Sequence, residues 1–219
     1  ENGEITGPIH LSHGNEEQLI EVFKKIGVED WVFSTWRSHY HALLHGVEPE
    51  ILKEKILDGK SITIVDKECK FYSSAIVTGT LPIALGVAKG LKEQHSSDKV
   101  WVFLGDMAFE SGIFYEVHKY ARNYNLPLHF IVEDNGYAES TAREYAVGGK
   151  ILDRGKAFGL DSHEVDGDNF FEVYEAAKHV IDNARNGKGP ALLHIKTSKV
   201  YGHFEGDAIS YRTKEENER

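Results

Sequence analysis

Two polar residues that could bind a cation follow two apolar runs in the middle of the chain. Asp106 comes directly after VWVFLG (100–105), and Asn135 comes directly after LPLHFIVED (126–134). Carboxylate and carboxamide oxygens are hard ligands that suit Mg²⁺ or Ca²⁺, which proteins often hold with a few oxygens together with substrate phosphates. Both residues also belong to short sequences, Gly-Asp and Asp-Asn-Gly, that are common in turns. Their types alone leave two interpretations open, unrelated turn residues or two ligands of one cation.

The segments around these residues alternate between strand-like and helix-like patterns. The runs 100–105 and 126–134 are continuous and apolar, which is typical of strands buried on both faces. Between them, 111–125 predicts a helix with one apolar stripe. The stripe comprises Ile113, Phe114, Val117, Tyr120, Ala121 and Tyr124. A strand, helix and strand in this order predict a parallel crossover, which brings both polar residues to the sheet edge where ligands bind.

Other segments extend the same pattern along the chain. They are a short apolar run at 31–35, a helix at 82–94 with Pro82 near its first turn, a helix at 170–187 that ends at Gly187, a strand at 190–198 and a polar tail at 211–219. The alternation predicts an α/β fold with a mostly parallel sheet. Gly105 and Gly112 would let the backbone approach an anion, and the N-terminus of the 111–125 helix favours negative charge. These features together suggest a site for a metal and a diphosphate.

Composition excludes several classes of protein. The 219 residues are typical of one α/β domain with a substantial core, so we expect a single domain over 1–219. The net charge of −10 argues against nucleic acid as a partner. A single cysteine, Cys69, excludes an internal disulfide framework and fits a reducing compartment. No apolar run reaches transmembrane length, so we expect a cytoplasmic protein with no membrane partner.

The stretch from Gly105 to Tyr137 resembles the thiamine diphosphate motif, which begins with Gly-Asp and ends near Asn-Asn. Over nearly its whole length the chain more closely resembles the α subunit of the E1 component of 2-oxo acid dehydrogenases, including the pyruvate, branched-chain and acetoin types. In that family the Asp side chain, the second Asn of the closing pair and a backbone carbonyl two residues on bind Mg²⁺. The resemblance therefore implies a thiamine diphosphate-binding fold, with helices on both sheet faces and Asp106, Asn135 and Tyr137 as metal ligands.

Three further segments resemble cofactor-binding parts of the same family. The match of STWRSHYH (34–41) implies that Arg37 binds the diphosphate and that Trp36 lines the pocket, where the family usually has Tyr. The match of AIVTGTLPIALGVA (75–88) implies that the backbone of Ala75 and Val77 holds the aminopyrimidine. After Asp106, the match places Met107 and Ala108 at the cofactor as well.

Two matched segments supply histidines. IHLSHGNEE (9–17) resembles a segment that puts His10 against the substrate, and KTSKVYGHFEGDAISYRTKEE (196–216) resembles the catalytic loop. The second match places His203 at the cofactor and the reaction centre and makes Asp207 a loop anchor. His203 and His10 are therefore the expected catalytic residues, acting in proton transfer or charge stabilisation. For His39, a pocket role and a packing role are both open.

The chain also departs from the family pattern. Met107 replaces a usual Gly, which would be strained if that position required a positive φ. Ala75 also replaces a Gly, and Thr63 stands where the family often has His. Phe204 replaces the Ser that mitochondrial members phosphorylate, so that form of control is not expected. These changes leave the cofactor interpretation intact and leave the substrate open.

The resemblance implies an oxidoreductase subunit that depends on thiamine diphosphate and Mg²⁺. It would decarboxylate a 2-oxo acid and pass the acyl group to lipoamide or another acceptor. A β-like subunit would supply the Glu that activates the pyrimidine ring, giving an α₂β₂ heterotetramer, with a lipoyl-bearing E2 component as a further partner. Two alternatives remain open, a thiamine-dependent carbon–carbon transferase of transketolase-like or E1-like type, and a catalytically silent partner subunit.

Overall fold

The computed structural model describes residues 4, 5 and 7–214. One seven-stranded sheet forms its centre, with strand order β2-β3-β1-β4-β5-β9-β8. Its strands are β1 (Trp31–Ser34), β2 (Val65–Asp66), β3 (Phe71–Ser73), β4 (Val100–Gly105), β5 (Leu128–Asp134), β8 (Asp161–Asp166) and β9 (Ala191–Lys196). A separate hairpin consists of β6 (Tyr137–Ala138) and β7 (Thr141–Ala142). Every pairing in the large sheet is parallel except the one between β2 and β3.

Helices cover both faces of this sheet. They are α1 (Glu16–Phe23), α2 (His39–Leu44), α3 (Pro49–Leu57), α4 (Thr80–Glu93), α5 (Gly112–Asn123), α6 (Arg143–Ala146), α7 (Ile151–Ala157) and α8 (Phe170–Arg185). The apolar faces of α1 and α8 pack on one side, and those of α4, α5 and α7 pack on the other. The predicted α/β architecture, a mostly parallel sheet between two helical layers, is confirmed.

The central strands β4 and β5 are buried on both faces, as their continuous apolar sequences predict. Along β4, Trp101 and Phe103 face the α1 and α8 side, whereas Val102 and Leu104 face the α4 and α5 side. The register pairs Gly105 with Glu133, so both strands end at the same edge of the sheet. Their crossover through α5 therefore places the turns after the two strands side by side.

The predicted stripe on α5 was too wide. Ile113, Tyr120 and Tyr124 are 43%, 46% and 50% exposed, whereas His118 is fully buried. The buried residues are Phe114, Val117, His118 and Ala121, which have the spacing of one narrow helical face. The imidazole of His118 fits this face because its Nδ1 donates to the carbonyl of Phe114 at 2.8 Å and its ring stacks on Phe130.

The sequence did not single out β8 as a strand. Its sequence, DSHEVD, is largely polar because β8 lies at the edge of the sheet and buries only part of its surface. The predicted strand at 126–134 begins at Leu128, and the helices predicted at 82–94 and 170–187 extend over Thr80–Glu93 and Phe170–Arg185. Most of the polar tail at 211–219 lies outside the described residues. Within the described part of the chain, no helix has the length and hydropathy that a bilayer span requires.

Candidate cofactor site at the carboxyl edge of the sheet

A cavity of about 320 Å³ opens where β1, β4 and β5 end. Nine of the residues predicted to bind the cofactor line it: Trp36, Arg37, Val77, Asp106, Met107, Ala108, Asn135, Tyr137 and His203. Ala75 and His10 are not among the lining residues. Gly105, predicted to let the backbone approach an anion, also lines the cavity. The parallel topology thus gathers residues that are up to 168 positions apart in sequence, from Thr35 to His203.

Asp106 is the first residue of a short 3₁₀ turn that follows β4. Its side chain is only 2% exposed, and its Oδ2 atom has no hydrogen-bond partner among the described residues. Burial, and then the charge of neighbouring Asp134, raise the pKa of Asp106 to about 7. An orphaned carboxylate oxygen beside a second acid is an environment that a bound cation would stabilise, because its charge offsets both burial and repulsion.

Two side chains, His194 and Arg143, hold Asp134 in place. Its Oδ2 atom lies 2.8 Å from His194 Nε2 and 2.9 Å from Arg143 Nη1. Although burial opposes its ionisation, the His194 hydrogen bond and the Arg143 charge hold the pKa of Asp134 below its usual range. His194 is fully buried, and its Nδ1 atom lies 3.0 Å from Glu164. The buried acid therefore keeps a fixed position at the end of β5.

Asn135 and Tyr137 belong to a tight turn after β5. The Asn135 Oδ1 atom accepts a hydrogen bond from the Tyr137 amide at 3.1 Å, and Asp134 Oδ1 accepts one from the Gly136 amide at 3.1 Å. Gly136 has φ of +77°, a left-handed value that favours glycine. Asn135 is therefore a turn residue that also lines the cavity, and its role as a metal ligand stays a prediction.

Arg37 joins two loops above the cavity. Its guanidinium donates to the carbonyl of Leu11 and, at 2.9 Å, to the carbonyl of His203. Burial lowers the pKa of Arg37, although the nearby carboxylate of Glu133 opposes that effect. The side chain thus places a fixed positive charge at the cavity wall, where a diphosphate would need one.

Three rings from three segments meet beside Arg37. His10 and His203 lie in an edge-to-face arrangement with centroids 4.9 Å apart, and Trp36 lies 5.9 and 6.1 Å from them. The His10 Nδ1 atom donates to the His203 carbonyl at 2.6 Å. Burial is the largest cause that lowers the pKa of both histidines to about 4. Both rings are consequently neutral near pH 7 and could accept a proton.

The loop that carries His203 is anchored by Asp207. One carboxylate oxygen accepts from the His203 amide and the Tyr211 hydroxyl, both at 2.7 Å, and the other accepts from the Ile209 amide at 3.0 Å. These three bonds lower the pKa of Asp207 to about 2. The loop also pairs with the segment before α1, since the Glu205 amide donates to the Ile9 carbonyl at 2.8 Å.

The structure shows the surroundings of Met107 and Phe204, which depart from the family pattern, and of His39, whose role the sequence left open. Met107 lies in the 3₁₀ turn and its φ is not in the left-handed region, so no strain follows from replacing Gly there. Phe204 is 43% exposed beside His203. His39 does not line the cavity and contacts Ser61 Oγ through its Nε2 atom at 3.0 Å, which agrees with a packing role.

Sequence reasoning did not identify several residues of the cavity wall. They are Thr35, Thr78, Leu104, Glu133, Ala138 and Glu139. Thr78 has φ of +61°, a left-handed value that is uncommon for a β-branched residue and often marks a functional loop. Glu133 accepts from Asn15 Nδ2 at 2.8 Å. Of these residues, only Glu133 had a signal in the sequence, because it is an acidic residue near the end of the apolar run that forms β5.

Comparisons with known proteins agree with this architecture. A sequence model of the family described as dehydrogenase E1 component matches residues 1–219. The α subunit of acetoin:2,6-dichlorophenolindophenol oxidoreductase from Cupriavidus necator is 37% identical over 96% of this chain and 66% of its own length. The equivalent subunit from Bacillus subtilis is 35% identical over 98% of this chain and 68% of its own length.

Other relatives are more distant. The pyruvate dehydrogenase E1 component subunit alpha of Rickettsia typhi is 32% identical over 98% of this chain and 69% of its own length. The chain therefore spans about two thirds of the length of these curated relatives. A crystal structure from Mycobacterium smegmatis, described as a thiamin diphosphate-dependent enzyme, has a TM-score of 0.58 at 18% identity. The structural match covers 87% of this chain and 33% of the chain from Mycobacterium smegmatis.

The structural likeness confirms the fold, and the sequence matches confirm the family expected from the motifs. These curated relatives are α subunits of an acetoin oxidoreductase and of pyruvate dehydrogenase E1, which confirms the predicted E1 α-like type. On the family match over its whole length and on these relatives, the chain belongs to the dehydrogenase E1 component family.

Proposed function

We propose that the chain is a thiamine diphosphate- and Mg²⁺-dependent E1 α subunit, with residues 1–219 forming one cofactor-binding domain. The observation that carries the proposal is the buried Asp106, which lines the cavity together with Arg37 and His203 and whose Oδ2 atom has no partner among the described residues. The names of the relatives favour acetoin or pyruvate as the substrate type. A cytoplasmic location stays a prediction.

The residues present fit a metal and a diphosphate. Asp106, Asn135 and Tyr137 all line the cavity, and the two side chains and the Tyr137 backbone carbonyl would offer hard oxygen ligands, which suit Mg²⁺. A second acid on the wall, Glu133, adds negative charge that such a cation would offset. Arg37 would pair with the diphosphate, and the amides of Met107 and Ala108 would approach it.

When bound, thiamine diphosphate supplies a nucleophilic carbon that adds to the substrate carbonyl. The protein's own residues would orient the reactants and manage protons. Val77 and Ala75 would hold the aminopyrimidine through their backbone. His203, neutral near pH 7 and on the cavity wall, would accept or return a proton at the reacting group. His10 would act through His203, because its Nδ1 hydrogen bond fixes the loop carbonyl beside that ring.

The pyrimidine-activating Glu of this family lies on the β subunit, so we propose an α₂β₂ assembly with the cofactor at the subunit interface. A 2-oxo acid or acetoin would be cleaved there, and its acyl group would pass to lipoamide on an E2 component or to another acceptor. Cofactor binding to the isolated chain is then expected to be weak, and tight Mg²⁺-dependent binding without a partner would contradict this part of the proposal.

The test measures CO₂ release from 1-labelled 2-oxo acids and dye reduction with acetoin, using the chain assembled with its β-type partner, thiamine diphosphate and Mg²⁺. We expect turnover with one of these substrates. Asp106→Asn, which keeps the shape of the side chain but weakens cation binding, should reduce turnover at least about 100-fold. Asp153→Asn, at an exposed acid of α7, is the matched control and should retain full turnover.

Two results would redirect the proposal. Cofactor binding to the assembly without turnover of any of these substrates would favour the carbon–carbon transferase, which ketose donors and aldehyde acceptors would then test. An assembly that binds no cofactor in the presence of Mg²⁺ would indicate a catalytically silent subunit.

A further inference from the structure

A second cavity of about 610 Å³ adjoins the first, and the two share Asn135 and Tyr137. It lies between the α6 segment, the chain that follows β9 and the residues around Arg212. Three cationic side chains line it: Arg143, Lys199 and Arg212. None of them belongs to the residues predicted to bind the cofactor.

Lys199 is the unusual member of this group. It is only 8% exposed, yet its Nζ atom has no hydrogen-bond partner among the described residues. A buried ammonium group without an acceptor is costly, because it loses its hydration and gains nothing in return. Burial, and then the charges of Arg37 and Arg212, lower the pKa of Lys199 to about 8. An anion beside the amine would replace the lost hydration and offset the repulsion from Arg37 and Arg212.

Arg143, which also lines the cavity, carries a second unsatisfied donor. Its Nη1 atom pairs with Asp134 at 2.9 Å, which fixes the guanidinium, but its buried Nε atom has no partner in the described part of the chain. Arg212 is also fixed, since its Nη1 atom donates to the Lys199 carbonyl at 2.7 Å. The carboxylate on the wall, Glu144, shares a hydrogen bond with Tyr145.

We propose that this second cavity is an oxyanion site, which binds a phosphate or carboxylate group through Lys199 Nζ and Arg143 Nε. Both side chains line this cavity, and each has a buried N–H donor without a partner in the described part of the chain, which the several acceptor lone pairs of such an anion would satisfy. Ser198 also lines this cavity, and its hydroxyl could donate a further bond. The anion could be independent of the cofactor, or it could be a phosphate that the cofactor extends across the shared border at Asn135.

The first experiment measures the melting temperature of the full chain, without cofactor or Mg²⁺, as inorganic phosphate replaces chloride at constant ionic strength. We expect a saturable rise with phosphate, because a ligand that binds only the folded state stabilises it. Lys199→Met should raise the midpoint phosphate concentration about tenfold or more, the typical worth of one charge-assisted hydrogen bond.

Two control variants separate the effect of the positive charge at position 199 from the general effect of replacing a lysine. Lys199→Arg keeps the cation and should retain the response, whereas Lys188→Met, at an exposed lysine, should behave as wild type. Because Lys199 Nζ has no partner to lose, Lys199→Met is expected to fold. Calorimetric titration of the unmodified chain with phosphate gives an answer that does not depend on any variant. A wild-type chain that responds to phosphate no more than to chloride would overturn the proposal, and so would a Lys199→Met chain with an unchanged midpoint.

A second arm identifies the source of the anion in the complex with the β-type partner. If phosphate competes with thiamine diphosphate and Lys199→Met binds the cofactor more weakly, the site exists and belongs to the cofactor. Phosphate binding that persists at saturating cofactor, with cofactor affinity unchanged in Lys199→Met, supports the site and assigns it to a separate anion. This outcome is independent of whether the assembly turns over acetoin or a 2-oxo acid.

Discussion

The buried imidazole of His129 should make the fold sensitive to mild acid. This residue lies in the central strand β5, is 1% exposed and stacks on Trp101 with centroids 4.7 Å apart. Neither ring nitrogen has a hydrogen-bond partner among the described residues. Burial, and then the charge of Lys99, lower the pKa of His129 from 6.5 to about 3. The folded protein therefore holds this ring neutral where the unfolded chain would protonate it.

The loss of stability in acid depends on the difference between the pKa of His129 in the folded and in the unfolded state. The unfolded chain binds a proton at His129 below pH 6.5, while the folded state does not until about pH 3, so stability is fully present above 6.5 and is lost as the pH falls. Each pH unit in this window costs about 1.4 kcal/mol. At pH 5 the loss is therefore about 2 kcal/mol for this residue, a large share of a typical stability of about 5–15 kcal/mol.

The assay is urea unfolding of the wild type and of His129→Leu between pH 8 and pH 5. The variant should be at least as stable at pH 8, because leucine leaves no unpaired nitrogen in the core. At pH 5 it should exceed the wild type by about 2 kcal/mol more than at pH 8. His13→Leu, at an exposed ring, controls for the change of residue type. If wild type and His129→Leu lose stability in parallel between pH 8 and pH 5, the reasoning about the buried ring is wrong.

Three further predictions concern the framework of the site. Asp30→Asn should cost about 3–5 kcal/mol in denaturant unfolding, because this fully buried acid accepts from a backbone amide, an indole and an arginine. Gly167→Ala should cost about 1–3 kcal/mol in the same assay, because its Cβ would lie 2.3 Å from the backbone carbonyl of Lys196, whereas Gly86→Ala, with no atom within 4 Å, should be neutral or stabilising. Asp207→Asn should weaken cofactor binding by the assembled enzyme severalfold with little change in melting temperature; unchanged affinity would show that the loop holds without its anchor.

Local sequence patterns were sufficient to predict the centre of the fold. The apolar runs that became β4 and β5 are long and continuous, and a parallel crossover has essentially one handedness. Those two facts alone place Asp106 and Asn135 at one edge of the sheet. The family motifs added Arg37 and His203, which also line the cavity.

The amino-acid sequence by itself thus determined the order of strands and helices at the centre, the family and the edge where the site lies, because these depend on patterns within short segments. Only the tertiary structure decided which polar atoms are partnered. That His194 and Arg143 hold Asp134, that His10 supports the carbonyl of His203 and that Lys199 is buried without an acceptor depends on contacts between distant segments. Such contacts are set by packing, and no local pattern specifies them.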